Sequence, residues 1–161
     1  MLKYKMKLYK CKSCEYKFFK KYHYISSDCS KSATCFVLKN NGDLVAFVAS
    51  ISHPVKNGKK AKREHRLVVL PSYRGRGIGT KLSETMGQYE VSKGFRYFSK
   101  TSNKHLIRKR SKSKNWKFVC KTNARIKRKQ VVGSVWAQKV REGTTYEYLS
   151  SNKITYKIPT T

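Results

Sequence analysis

The sequence predicts an α+β domain, and three observations carry that reading. Residues 34–39 and 44–52 are strand-like runs on either side of "NNGD", the signature of a tight β-hairpin. Residues 64–71 are apolar through their centre, as a strand buried on both faces should be, and lead directly into the glycine-rich "RGRGIG" at 74–79. Residues 80–93 then place Leu82, Met86, Tyr89 and Val91 at helical spacing, with a further strand at 95–99. At 161 residues, 39% of them hydrophobic, the chain is long enough to fold around one core of its own.

The remaining elements follow in order. Residues 1–10 alternate Leu2, Tyr4, Met6 and Leu8 with Lys3, Lys5 and Lys7, the period of a strand with one wet face. Ser13 is placed to cap a helix running through Tyr16, Phe18, Phe19 and Tyr22 to about His23. The polar loop "HYISSDCSKSAT" precedes the hairpin and the loop "HPVKNGKKAK" follows it. Gly94 suits the left-handed position just past the 80–93 helix. Residues 103–110 read as a helix and 116–120 as a strand, while "TYEYL" and "KITYKI" would pair as a last hairpin. Part of 111–129 reads as a basic arm. With no internal repeat and no change of composition that marks a boundary, residues 1–161 are expected to form one domain.

Charge is the strongest compositional signal. Lys and Arg number 38 against 8 Asp and Glu, a formal net charge of +30. So large an excess repels itself in the folded state unless a polyanion screens it, which points to nucleic acid, DNA ahead of RNA. No acidic residue lies between Glu90 and Glu142, and aromatic residues are interleaved with the cations there. Within 104–129, the expected nucleic-acid-binding segment, Lys104, Arg108, Lys109, Arg110, Lys112 and Lys114 are the phosphate-contacting candidates; the alternative is a solvated charge run. No amphipathic helix with a clean apolar face appears, and the longest apolar run, 44–51, is too short to cross a bilayer, so no membrane partner is expected. The lysine-rich start is not followed by an apolar signal core, so the expected location is the cytoplasm.

Five cysteines is an odd number, and a cytoplasmic chain does not keep disulfides. Cys11 and Cys14 form C-x-x-C, with Cys29, Cys35 and His23 downstream, but the five-residue gap between Cys29 and Cys35 is wider than a zinc knuckle's. Cys35 reads as an inward strand residue. No bound metal is therefore expected.

A strand, then R-x-x-G-x-G, then a helix and a second strand describes a phosphate cradle. Glycines let backbone N–H groups approach an anion, and the helix N-terminus adds its partial positive charge. The loop lacks the Gly-Lys-Ser/Thr ending of a P-loop, and it falls too late in the chain for a dinucleotide fingerprint. The stretch "RLVVLPSYRGRGIGTKLSETMGQYEVSKGFRYFSKTSN" resembles motif A of the GNAT superfamily of acyl-CoA N-acyltransferases, with Arg74, Gly77 and Gly79 as its signature. The resemblance implies a mixed, mostly antiparallel central sheet with helices on both faces and two parallel strands splayed at the acyl-CoA site. Residues 66–103 would form motif A. The cofactor would be acetyl-CoA or another acyl-CoA, held by Leu67, Val68, Val69, Arg74, Gly75, Arg76, Gly77, Ile78, Gly79, Thr80 and Asn103. In many such proteins an Asn is followed by a helix carrying a Tyr that protonates the leaving thiolate. Asn103 matches the Asn, but the Tyr register falls near Arg110, which would not give up its proton.

"FFKKYHYISSDCSKSA" together with "REHRLVVLPSYRGRGIG" is similar to a narrower branch, the phage Mom-type DNA-modification proteins, which protect phage DNA from host nucleases. That likeness would put His23, Tyr24 and Asp28 beside the acyl site. His23 suits a general base or a helix-end residue, Tyr24 a stacking residue or a core residue, and Asp28 an orienting carboxylate or a loop cap. Glu64 and His65 are a second base candidate, with Arg63 and Arg66 placed to keep Glu64 ionised. The expected activity is acyl transfer to a nitrogen on nucleic acid, most plainly a DNA base. The alternatives are a non-catalytic nucleic-acid binder of the same fold and an acetyltransferase of tRNA or ribosomal amines.

Overall fold

A computed structural model describes residues 6–24, 27–55, 58–123, 125–131, 134–140 and 142–149. Among these residues, nine strands and two α-helices follow one another as β1 (Met6–Cys11), β2 (Thr34–Asn40), β3 (Asp43–Ser52), β4 (Ala61–Val69), α1 (Ile78–Ser92), β5 (Arg96–Thr101), α2 (Lys104–Ser111), β6 (Trp116–Thr122), β7 (Arg125–Val131), β8 (Ser134–Val140) and β9 (Gly143–Tyr148). Seven strands form one sheet in the order β1-β2-β3-β4-β5-β9-β6, and β7 and β8 form a separate antiparallel ribbon. Within the seven-stranded sheet only β4 and β5 run parallel, through Ala61↔Arg96, Lys62↔Tyr97 and Arg63↔Phe98.

The local signals account for most of these elements. Asn41 and Gly42 take φ of 50° and 96°, so the β2–β3 hairpin turns through two left-handed residues, as its Asn-Gly demands. Gly94, at φ 83°, follows the last residue of α1 and its cap. Leu82 and Met86 of α1 pack with Phe36, Val45, Val48, Tyr97 and Tyr148 on one face of the sheet. Each such side chain contributes about 1.5–3 kcal/mol by leaving water. Tyr16 and Phe19 pack with Val37, Phe47, Ala49 and Val68 on the other face.

Three expectations are corrected. Residues 13–23 form two 3-10 turns, Ser13–Phe18 and Lys20–Tyr22, and Ser13 caps nothing: the residue ahead of the first turn is Lys12, which makes no side-chain cap. Tyr16 and Phe19, three apart, share the buried face, a spacing that the three-residue turn lines up, while Phe18 and Tyr22 stay exposed. The stretch "TYEYL" does not lead a terminal hairpin; it lies in β9, which inserts between β5 and β6 because Tyr146 and Tyr148 are buried there. "KITYKI" lies outside the described residues. The 111–129 stretch is not simply an arm, since β6 occupies the sheet edge and β7 one strand of the ribbon.

Candidate functional site

The site arises from a mismatch in strand pairing. Along β3 the partners of β4 run Ala49↔Arg66 and then Ser50↔Glu64, so His65 is an extra residue, a β-bulge. In a regular strand Glu64 and Arg66 would share a face. The bulge sends them to opposite faces. Arg66 points toward the 3-10 side, with its guanidinium 5.6 Å from the Tyr16 ring, and donates to the Ser27 and Asp28 carbonyls and to Ser27 Oγ. Glu64 points toward α1 and β5, accepting from Ser83 Oγ, from Ser99 Oγ at 2.8 Å and from Tyr97 O–H at 3.4 Å. Pairing of β4 with β5 stops at Arg63, so from Glu64 onward the two parallel strands separate and the β4 edge facing β5 has no partner strand.

A cleft of about 630 Å³ occupies this gap. One wall is β4 from Glu64 to Val69; the other is Lys100 and Thr101 of β5. The glycine loop and the start of α1 (Gly75, Gly77, Ile78, Gly79 and Thr80) close one end. Gly75 and Gly77 sit at φ 77° and 74°, a conformation that excludes most side chains, although a Cβ at either would meet nothing. Gly77 is the N-cap of α1 and offers no side-chain cap, so among the described residues the first-turn amides have no side-chain acceptor. Uncapped amides behind two left-handed glycines suit a phosphate or diphosphate group. Arg74 braces the loop: its Nε donates to the Val69 carbonyl at 2.9 Å and its guanidinium to the Tyr22 carbonyl at 3.2 Å.

Asn103 is the N-cap of α2, with its side-chain oxygen accepting from the amides of His105 and Leu106, and it lies at the cleft edge. His23, Tyr24, Glu64, His65, Leu67, Val68 and Val69 also line the cleft. His23 stacks on Tyr24 with ring centroids 4.5 Å apart, and Tyr24 is 68% exposed. Both ring nitrogens of His65 are engaged: Nε2 accepts from the Ser30 amide at 3.1 Å, and Nδ1 lies 3.2 Å from Arg66 Nη1.

Several sequence expectations change here. Asp28 does not line the cleft: its exposed carboxylate pairs with Lys20 at 2.7 Å. Arg76 does not line the cleft; its guanidinium lies 5.7 Å from the Tyr73 ring. Neither Arg63 nor Arg66 is the cation beside Glu64. That is Arg110, whose guanidinium lies 3.6 Å from the carboxylate. Arg110 is 1% exposed, so it is not a phosphate contact, whereas Lys104, Arg108, Lys109, Lys112 and Lys114 are exposed. Lys109 faces the cleft, as do Tyr73 and Lys100, which lie within the motif-A stretch but were not named as site residues, and His105 and Leu106, which lie beyond it. The available signal was Asn103: a cap at the cleft edge puts His105 in the first turn of a helix that starts there.

Cys29 and Cys35 Sγ lie 4.0 Å apart and both are buried. The hydrogen bond shared with Cys35, against the opposing effect of burial, and then the nearby His65 and Arg66, lower the Cys29 thiol from its usual range, while burial pushes Cys11 up to about 12. Among the described residues no group of three or more His, Cys, Asp or Glu is arranged to hold a metal ion. No helix among them is long and apolar enough to cross a membrane.

Residues 31–115, more than half of the chain, match the acetyltransferase (GNAT) domain family. No match was found among curated protein sequences. Solved structures share the fold at low identity. An acetyltransferase from Bacillus subtilis in complex with CoA superposes with a TM-score of 0.65 at 12% identity, covering 89% of this chain and 98% of that one. Naa50 from Arabidopsis thaliana, in complex with a bisubstrate analogue, gives 0.60 at 13% over 89% and 98%. The ribosomal-protein-S18-alanine N-acetyltransferase of Escherichia coli gives 0.60 at 15% over 94% and 99%.

Proposed function

The chain belongs to the acetyltransferase (GNAT) family, and from that premise we propose that it transfers an acetyl group from acetyl-CoA to an amine carried by a nucleic acid. One observation carries the reading: the cleft that opens where β4 and β5 part ends on the uncapped amides of α1. Those amides, with Gly75 and Gly77, would hold the CoA diphosphate. The unpaired edge of β4 from Glu64 to Val69 would present backbone amides to the thioester carbonyl. When bound, acetyl-CoA supplies the acyl group as an activated thioester.

Glu64 is the base that the geometry favours. It lines the cleft at the point of divergence, and its carboxylate is fixed by three hydroxyl donors. It would take the amine proton directly or through one water. His65 is less suited because its Nε2 already serves the Ser30 amide. The thiolate can leave without a protein acid, since thiol ionisation lies close to working pH. His105 and Lys109, at the cleft edge, would stabilise its charge. His23 and Tyr24 would wall the acceptor side.

The nucleic-acid acceptor rests on the +30 net charge and on the exposed cations Lys104, Arg108, Lys112 and Lys114. The finer reading, DNA-base modification of the Mom type, rests on the N-terminal segments that resemble that branch. Mass spectrometry of nucleosides and of proteins from cells expressing the wild type or Gly77→Asp tests it. An acetylated nucleoside that appears only with the wild type supports the reading. Acetylation confined to ribosomal or other protein amines would move the acceptor to peptide, as in the Naa50 and ribosomal-alanine enzymes.

A further inference from the structure

Arg110 does not fit its surroundings. It sits in α2 among cations that stay exposed, yet it is 1% exposed and is among the largest fully buried side chains. Burying a guanidinium costs several kcal/mol even after relaxation. A helix that needed only packing at this position would be served better by an apolar residue. The partners of Arg110 therefore bear on what it does.

Its Cζ lies 4.4 Å from the Trp116 ring, and Nη2 donates to Ser83 Oγ at 2.8 Å. The same Ser83 hydroxyl donates onward to Glu64 Oε2, and Arg110 Nη2 lies 3.6 Å from Glu64 Oε1. The guanidinium thus reaches Glu64 twice, once through space and once through Ser83. With Ser99 and Tyr97, three hydroxyl donors occupy the inner side of the carboxylate. A carboxylate accepts about four hydrogen bonds, which leaves one acceptor direction, on Oε1, while Glu64 also lines the cleft. Burial and then the Glu64 charge push the Tyr97 hydroxyl well above its usual range, so it donates as a neutral group.

We infer that Arg110 is a positioning residue for the acetyl transfer: from inside the core it holds the Glu64 carboxylate in place at the β4–β5 cleft, with Ser83 as the bridge between them. This rests on the reading of Glu64 as the base. In the step that Arg110 serves, the amine nitrogen bonds to the acyl carbon, the carbon–sulfur bond breaks and its electron pair leaves with the CoA thiolate. The amine proton goes to Glu64, which passes it to solvent.

The test uses the full chain carrying Arg110→Met, Arg110→Lys, Glu64→Gln or the pair Arg110→Met/Glu64→Gln. Two readouts are taken: melting temperature at about pH 5 and about pH 8, and thiol release from acetyl-CoA with a small primary amine as acceptor. The charged and titratable groups around Glu64 are Arg110 from α2, Tyr97 from β5, and Glu90 from α1, which is hydrogen-bonded to Ser50 of β3. Lys100, His105 and Lys109 lie on the cleft side. With its cation gone, a buried Glu64 carboxylate is unfavourable only while it is charged. Arg110→Met should therefore lose more melting temperature at about pH 8 than at about pH 5, and the double variant should erase that difference. Turnover in Arg110→Met should fall tenfold or more with the KM for acetyl-CoA unchanged, and Arg110→Lys should recover part of it. An equal melting loss at both pH values, or full turnover in Arg110→Met while Glu64→Gln is inactive, would overturn the inference. Full turnover in Glu64→Gln would overturn the reading of Glu64 itself, and the inference with it.

Discussion

The Arg74 guanidinium donates to the carbonyl of Tyr22 at 3.2 Å while its Nε donates to that of Val69 at 2.9 Å. A single side chain thereby ties the end of β4, the glycine loop and the 3-10 segment that carries His23 and Tyr24. Arg74 holds the cradle in shape through the carbonyls that define it.

Arg74→Ala should loosen the loop and the 22–24 segment together. Two hydrogen bonds from a charged donor at a solvent-exposed position contribute about 1–2 kcal/mol in all. The expected result is a lower melting temperature and weaker acetyl-CoA binding by calorimetry. Arg74→Lys should recover little, because an ammonium cannot span both carbonyls in a fixed fork.

At Gly77 the obstacle to a side chain is conformational, since φ is 74° and a Cβ would meet nothing. Gly77→Ala should cost about 1–2 kcal/mol of stability. Gly77→Asp should in addition abolish acetyl-CoA binding by setting a carboxylate beside the phosphate position. Unchanged affinity in Gly77→Asp would remove the phosphate role from this loop.

Gly87 offers the opposite case. Its backbone is helical, but a Cβ there would lie 2.7 Å from Tyr148 Cγ and 3.0 Å from Tyr97 Cδ1. Gly87→Ala gains helix propensity yet overpacks the contact between α1 and β9, and should destabilise by about 1–3 kcal/mol. A melting temperature equal to or above the wild type's would show that this contact yields easily.

Cys29 should react as a thiolate at mildly acidic pH. Its thiol is held below the usual thiol range, chiefly by the hydrogen bond it shares with Cys35 and then by His65 and Arg66. Because Cys29 is buried while Cys14 and Cys120 are exposed, the readout is the pH profile: alkylation of Cys29 by a small reagent, followed by peptide mass spectrometry, should persist to lower pH than that of Cys14 and Cys120. Cys35→Ala should remove that difference, and Cys35→Ser should keep much of it.

Nucleic-acid binding should weaken steeply with salt, in proportion to the phosphates neutralised. Replacing Lys104, Arg108 and Lys112 by Ala should make the log–log slope shallower, by about one for each phosphate that is no longer neutralised. Arg110 should not belong to that set, because its side chain is buried. A slope that changes as much on losing Arg110 as on losing Arg108, in a protein that stays folded, would place Arg110 at the surface.

Features that depend on neighbouring residues were legible in the sequence. Asn41-Gly42 fixes a two-residue turn because only left-handed residues close it, and the pairs beside it, Asn40↔Asp43 and Lys39↔Leu44, follow from that turn, while an extra residue at Val45 shifts the β2–β3 register beyond them. The apolar strand, the glycine loop and the spacing of Leu82 and Met86 place β4, the cradle and α1 to within a few residues. The charge excess is compositional and needs no fold. Decisions that depend on distant partners were not legible. The bulge at His65 exists only because β3 pairs with β4 out of step, and it reverses the face that alternation assigns to Glu64. Arg110 reads as one more cation of α2 until Trp116, Ser83 and Glu64 surround it. The position of β9 between β5 and β6 is set by the burial of Tyr146 and Tyr148, not by their neighbours in the chain. Periodicity records which side of an element a residue occupies; a buried charge, a register shift or a strand insertion depends on which other element arrives there, and only the assembled core settles that.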